Sequence, residues 1–249
     1  MAPIPDFSTD YLVRGFDCRY GGPFAPLSLA NFFQEAAGLH ADRLGIGMAA
    51  LAASGRTWML SRIQLRIEGL PREGDRVRVR TWPSGCDRLF ALRDLVLEAE
   101  SGQALVRAVY AYLVVDLAAR KPLRPERALG SDWVGGAEHA LAGLALGAEP
   151  SSELTPAYEL RARPRHIDEN GHVNNAHYID WLVDAAAGLA PGAAAEGQAG
   201  APRELKVDFI REVLCGELLE ALAGPLPGGR VGTELRRGGE AVARAELAF

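Results

Sequence analysis

The chain has 249 residues, is 48% hydrophobic and carries a formal net charge of −5. That is enough apolar material for one large domain or two small ones, and the acidic balance gives no drive toward nucleic acid or an anionic membrane. The three cysteines, Cys18, Cys86 and Cys215, are odd in number and scattered, so they form neither a disulfide framework nor a metal-ligand spacing. The opening MAPIPDFSTD has no positive and then apolar run of a secretory signal, and no stretch approaches the ~18 apolar residues of a spanning helix. A soluble, cytoplasmic protein is expected.

In chain order, a first strand is expected around Tyr11 to Val13, before the breakers Gly21, Gly22, Pro23 and Pro26. Ser28 is a candidate helix cap. After it, Leu29, Phe32, Phe33, Ala36, Ala37 and His40 form an apolar helical stripe that Gly45 and Gly47 end. Ile63-Leu65-Ile67 and Val77-Val79-Thr81 alternate with polar residues, and Leu89 to Leu97 and Ala104 to Val115 read as two more strands. The last is apolar on both faces, as a central, doubly covered strand would be. Residues 116–156 turn to Ala, Gly and Pro and read as a linker with a short helix near Glu138 to Leu146.

The pattern then restarts. Tyr158-Leu160-Ala162 alternates as a half-buried strand. A polar loop follows, and a second helix carries Tyr178, Trp181, Leu182, Ala185, Ala186 and Leu189 and ends at Pro191-Gly192. Pro191 to Pro202 is low in complexity and reads as a mobile loop. Strands around Leu205 to Phe209, Leu218 to Leu222, Val231 to Leu235 and Ala241 to Phe249 close the chain.

Shifting the first helical stripe by 149 positions gives the second, and Gly74-Asp75 matches Gly216-Glu217 at an offset of 142. The chain is therefore read as an internal duplication of a helix-plus-sheet unit: residues 1–128, a linker 129–156, and 157–249. The fold class is α+β, with each antiparallel sheet wrapped around a long helix.

The copies differ in the loop before the helix. The second holds Asp168, Asn170 and His172, where the first has Arg19, Gly21 and Pro23. Both keep the turn glycine, Gly171 and Gly22. Only the second copy carries reactive groups, and it places them at the positive end of a helix. Singly, Asp168 is equally an Asx-turn residue and His172 equally a structural histidine. Asn174 and Asn175 read as cap and turn, His40 as core, and His166 and His177 as surface or loop. Arg161, Arg163 and Arg165 read as a solvated strand face. Trp58, Met59, Phe32 and Phe33 are candidates for lining an apolar pocket.

The pattern Asp168, Asn170, His172, Val173, Asn174, Asn175, Tyr178, Trp181 resembles the acyl-acyl carrier protein thioesterases. So do Trp58 to Arg62, Thr81-Trp82-Pro83, Arg120 to Arg124 and Phe209-Ile210-Arg211-Glu212. The resemblance implies a tandem hot-dog fold and hydrolysis of a fatty acyl thioester on acyl carrier protein. The sequence holds no Cys/His ligand set and no Gly-rich nucleotide loop, so neither metal nor organic cofactor is expected. The first copy would shape the acyl pocket. It further implies Asp168, Asn170, His172 and Glu212 as catalytic residues. Glu212 or Asp168 would serve as, or tune, the base, while Asn170 and His172 would hold the carbonyl. Plant members carry a cysteine after the glutamate where this chain has Val213, so water rather than a thiolate is the expected nucleophile. A thiol of pKa about 8.5 leaves without strong acid assistance, so the demand falls on the base and the oxyanion donors. The rival readings are an acyl-CoA thioesterase, a dehydratase of the same fold, or a non-catalytic acyl-binding domain. The chain is expected to act as a monomer or homodimer.

Overall fold

The structure is a computed structural model that describes residues 6–19, 22–130, 138–189 and 201–249. Gly21, the counterpart of Asn170, and most of the low-complexity loop fall outside the described residues.

The first unit comprises β1 (Phe7–Leu12), α1 (Pro26–Arg43), α2 (Met48–Ala53), β2 (Arg56–Ile67), β3 (Arg76–Asp87), β4 (Phe90–Ala99), β5 (Ala104–Asp116), β6 (Lys121–Leu123) and α3 (Pro125–Leu129). The second comprises β7 (Thr155–Arg161), α4 (Asn175–Ala186), β8 (Glu204–Phe209), β9 (Leu218–Leu226), β10 (Arg230–Arg237) and β11 (Glu240–Ala248). Helix α1 starts at Pro26, whose fixed φ suits a first helical position. Ser28 therefore lies buried inside the helix and is not its cap. The helix stops where Gly45 takes a φ of 72°. Helix α4 ends at Ala186, so Leu189 falls off the stripe and is exposed.

The strands run in the order β1-β3-β4-β5-β2-β8-β11-β10-β9-β7, with β6 beside β5. The second half of this order repeats the first in reverse. The two sheets are joined where β2 and β8 pair antiparallel from Arg62↔Asp208 to Arg66↔Glu204. This gives a double hot-dog with one continuous sheet curved around two adjacent helices. The stripe residues Leu29, Phe33, Ala36, Ala37, Tyr178, Leu182, Ala185 and Ala186 sit in a single core with the inward faces of both halves. Strand β5 is covered on both faces, as its sequence predicts. Val106, Ala108 and Tyr110 face the helices, while Val109 and Ala111 pack with Leu92 and Leu141 on the outer side. No described helix is long and apolar enough to cross a membrane.

The helix expected over Glu138 to Leu146 does not form. Side chains of the sheet's outer face take its amides instead: Ala140 N–H donates to Asp94 (2.5 Å), Ala145 N–H to Gln64 (2.8 Å) and Glu149 N–H to Glu246 (3.1 Å). Gly143, with φ 73°, breaks the local run. The segment is a strap over the sheet. Its last anchor, Glu246, is 5% exposed and ion-paired to Arg230 and to Lys206 (3.4 Å). Burial works to raise the Glu246 pKa, but the Glu149 amide, Lys206 and Arg230 outweigh it and hold it below its ordinary 4.5. A depressed acid contributes stability that is present above its unfolded pKa and is lost as pH falls through the folded value. Glu246→Gln is therefore expected to cost about 1–3 kcal/mol at pH 7, and the deficit should shrink as pH falls well below 4.5. Chemical denaturation at the two pH values checks this, and a deficit independent of pH would contradict it.

Candidate active site

The polar loop is built by a repeated set of backbone hydrogen bonds. Strand β7 leads into a single 3-10 turn, Pro164–His166, and Ile167 then bridges to Val173. Asp168 N–H donates to His172 O (2.9 Å), Gly171 N–H to Asp168 O (3.0 Å) and Asn174 N–H to His166 O (2.9 Å). Displaced by 149, the same bonds join Arg19 to Pro23 (3.1 Å), Gly22 to Arg19 (3.0 Å) and Ala25 to Asp17 (2.7 Å). The backbone frame is common to both copies, and the side chains on it differ.

In the second copy Gly171 has φ 80°, a value that favours glycine. The turn carries Asp168, Asn170 and His172 within one short span. Asp168 accepts the Asn170 N–H at 2.9 Å, an Asx turn of the kind expected for an aspartate in a loop. Asn174 caps α4 through the Ala176 N–H at 2.8 Å. His166 and His177 are read from sequence as surface or loop residues; His166 does lie in the loop, but both rings pack on Trp181, His166 edge-on and His177 stacked, with His166 to His177 ring centroids 4.7 Å apart. Burial, then neighbouring positive charge from Arg165 and Arg163, lowers the pKa of His166, and burial lowers that of His177. These two are internal aromatic packing. His40 is buried at 2% exposure, as its stripe position predicts.

Glu212 reaches the loop from a different element, the segment between β8 and β9. That segment is tied down at both ends. Ile210 and Arg211 N–H both donate to Val242 O (2.9 and 3.0 Å), and Val173 N–H donates to Val213 O (2.9 Å). Tyr178 O–H donates to Arg211 O at 3.3 Å. The result sets His172 Nε2 3.0 Å from Glu212 Oε2, with the two side chains 39% and 56% exposed.

Asp168 and Asn170 open instead onto a cleft whose opposite wall belongs to the first unit. Helix α1 contributes Ala37, Gly38 and Ala41, small residues that leave room, and β2 contributes Trp58 and Leu60. Arg93 and Tyr112 also line it. Arg93 is 4% exposed, with Nη1 2.9 Å from His40 Nδ1 and donating to Thr81 Oγ1 at 3.2 Å. Burial lowers its pKa to about 10. Asn174 and Asn175 close the cleft at the amino end of α4, while His172 and Glu212 do not line it. Of the sequence candidates for a pocket, Trp58 lines the cleft. Phe33 is fully buried core, Phe32 stacks on Tyr11, and Met59 is 47% exposed.

Sequence reasoning passed over the groups that fix Glu212. Arg237 Nη1 donates to the Glu212 carbonyl (3.1 Å) and to Glu217 Oε2 (2.6 Å). Tyr178 is a stripe and motif residue, and its hydroxyl has no counterpart in the first copy, where the position is Leu29. That difference between copies was a readable signal.

Two family models match the chain, the acyl-ACP thioesterase N-terminal domain over residues 6–128 and the acyl-ACP thioesterase C-terminal domain over 151–230. A palmitoyl-acyl carrier protein thioesterase of Gossypium hirsutum chloroplasts is 28% identical over 209 residues, covering 72% of this chain and 47% of the relative. The chain thus spans about half the length of the curated relatives it matches. An acyl-ACP thioesterase structure from Bacteroides thetaiotaomicron superposes with a TM-score of 0.83 at 24% identity, over 98% of this chain and 97% of the other. The 12:0-ACP thioesterase from Umbellularia californica superposes with a TM-score of 0.80 at 19% identity, over 98% and 96%. Both likenesses establish the fold, and with both family models matched in order, the chain belongs to the acyl-ACP thioesterase family.

Proposed function

We propose that this protein hydrolyses fatty acyl thioesters of acyl carrier protein to the free fatty acid and the carrier thiol, in the cytoplasm. The observation that carries the reading is the cleft, in which the polar loop of the second unit faces a first-unit wall where Ala37, Gly38, Ala41, Trp58 and Leu60 stand among the polar Gln34, Asp42 and Arg93. An acyl chain lies along α1 past Ala37, Gly38 and Ala41, and its thioester carbonyl meets Asp168 and Asn170.

Hydrolysis there needs a base, a donor set for the oxyanion, and a way out for the thiolate. Asp168 is the candidate carboxylate that lines the cleft, so it takes the proton from the attacking water. Attack forms the C–O bond and moves charge to the carbonyl oxygen. Collapse then expels the thiolate, which takes up a proton. The oxyanion is held at the amino end of α4, with its positive potential, and by the Asn170 amide. The Ala176 N–H is already engaged by the Asn174 cap, so the Asn175 amide is the helix donor. Glu212 fixes the ring of His172, and the imidazole orients and polarises the loop beside the carbonyl. No cysteine is needed, since Val213 follows Glu212.

The test is parallel kinetics on matched acyl-carrier and acyl-CoA thioesters. The reading predicts a kcat/KM at least ~10-fold higher on the carrier, a difference of ~1.4 kcal/mol in transition-state binding. A preference for CoA would replace the carrier as substrate, and no turnover with either would return the protein to acyl binding alone. Because the pairing of two hot-dog units is already present in one chain, a monomer or a homodimer both suit this activity.

A further inference from the structure

The turn that carries Glu212 toward His172 exists twice in the fold, with the same hydrogen-bond frame and different side chains. In the second copy Gly216 N–H donates to Ala162 O (2.9 Å), Ala162 N–H to Glu217 O (2.9 Å) and Leu214 N–H to Glu217 Oε2 (2.8 Å). In the first, Gly74 N–H donates to Val13 O (3.0 Å), Val13 N–H to Asp75 O (2.9 Å) and Arg72 N–H to Asp75 Oδ2 (2.8 Å). Gly74 and Gly216 share a φ of 91°. The turn's frame is therefore complete without help from any neighbouring strand.

Only the second copy adds an arginine. Arg237, at the end of β10, donates from Nη1 to Glu217 Oε2 (2.6 Å) and to the carbonyl of Glu212 itself (3.1 Å). Strand register identifies what stands there in the first copy. Arg236 pairs with Glu220, and Glu98 pairs with Arg78, which corresponds to Glu220 at the offset of 142. The next residue along, Ala99, is thus the counterpart of Arg237. Ala99 has no side-chain donor to offer, and among the described residues Asp75 has no ion pair. The residue equivalent to Glu212 is Leu70, which has no chemistry to aim. The turn keeps its shape without an arginine where it carries nothing reactive, and has one where it carries Glu212.

We propose that Arg237 is a positioning residue for Glu212: its clamp on the Glu212 carbonyl and on Glu217 directs the Glu212 carboxylate onto His172. This rests on the role given to Glu212 above. A half-exposed ion pair adds little to overall stability, and Arg237 and Glu217 are 32% and 28% exposed. Burial works against the Glu217 carboxylate, but the Leu214 N–H and Arg237 outweigh it and hold its pKa below the ordinary value, so the clamp stays charged near neutral pH. What the clamp supplies is direction, and misplacing such a group by about 1 Å can cost ~10²-fold in rate.

The test is a double-mutant cycle on the full chain with acyl-carrier substrate: parent, R237A, E212A and E212A/R237A, each checked by thermal melting. The expected results are a kcat lower by ~10- to 100-fold in R237A with KM little changed, a melting temperature near the parent's, and no further loss when R237A is added to E212A. Parental kcat in R237A would overturn the proposal. So would the same fold-loss in the E212A background, since that marks a role independent of Glu212. Should R237A not fold, R237Q keeps most of the stem and carries the cycle with the same two outcomes. Parental turnover in E212A would instead overturn the role given to Glu212, so the two failures are distinguishable.

Discussion

Asp168→Asn is expected to lower kcat on acyl-carrier substrate by roughly 10³-fold, within the range of a lost general base, while leaving stability within about 0.5 kcal/mol of the parent. The substitution separates the two readings of this residue. Asp168 accepts the Asn170 N–H in an Asx turn, and an asparagine keeps that acceptor in the same place. If the residue serves only the turn, Asp168→Asn is active. If it takes the proton from water, the amide cannot, and the loss appears in kcat with KM nearly unchanged. Asp168→Ala should be worse on both counts, since it also removes the turn's acceptor. Steady-state kinetics with a denaturation curve for each variant decide the matter, and an active, stable Asp168→Asn would remove Asp168 from the chemistry.

The second large effect is expected from the pair His172 and Glu212. Their 3.0 Å contact joins two elements that are 40 positions apart in sequence. Each single alanine substitution is expected to lower kcat by ~10²-fold, the usual scale for a group that orients a reacting neighbour. The double variant should be little worse than either single one, because residues that act as a unit lose their function together. Multiplying losses would mean that the contact is incidental. Both side chains are well exposed, so folding should be spared, and a large drop in melting temperature would point to a structural role instead.

Much of this arrangement was readable before any coordinates. Alternation and helical stripes are local signals, and they placed both long helices and most strands. Comparing the copies isolated Asp168, Asn170 and His172, since the loop frame repeats at an offset of 149 and the side chains do not. What escaped was long-range. Nothing local marks β2 and β8 as partners, so the joining of the two sheets could not be read from alternation. The strap over Glu138 to Glu149 was misjudged because apolar residues at loose spacing suit a helix as well as an outer sheet face. Its fate was settled by Asp94, Gln64 and Glu246, residues distant in sequence that take its amides. Apart from Trp58, the cleft wall was missed for a related reason: Ala37, Gly38 and Ala41 matter for the space they leave, which a pattern of apolar positions does not record. Arg237 was missed because its role depends on strand register, which only the paired sheet supplies.

The central claim, direct attack of water on an acyl-carrier thioester at Asp168, is tested most directly by a single turnover in ¹⁸O-labelled water, with mass analysis of the fatty acid and of the Asp168 peptide. The account predicts fatty acid carrying ¹⁸O from the first turnover, an unlabelled Asp168 and no acyl mass on the Asp168 peptide of the quenched enzyme. Unlabelled fatty acid in the first turnover with ¹⁸O on Asp168 would show a covalent acyl-aspartate, and no release of fatty acid would contradict hydrolysis altogether.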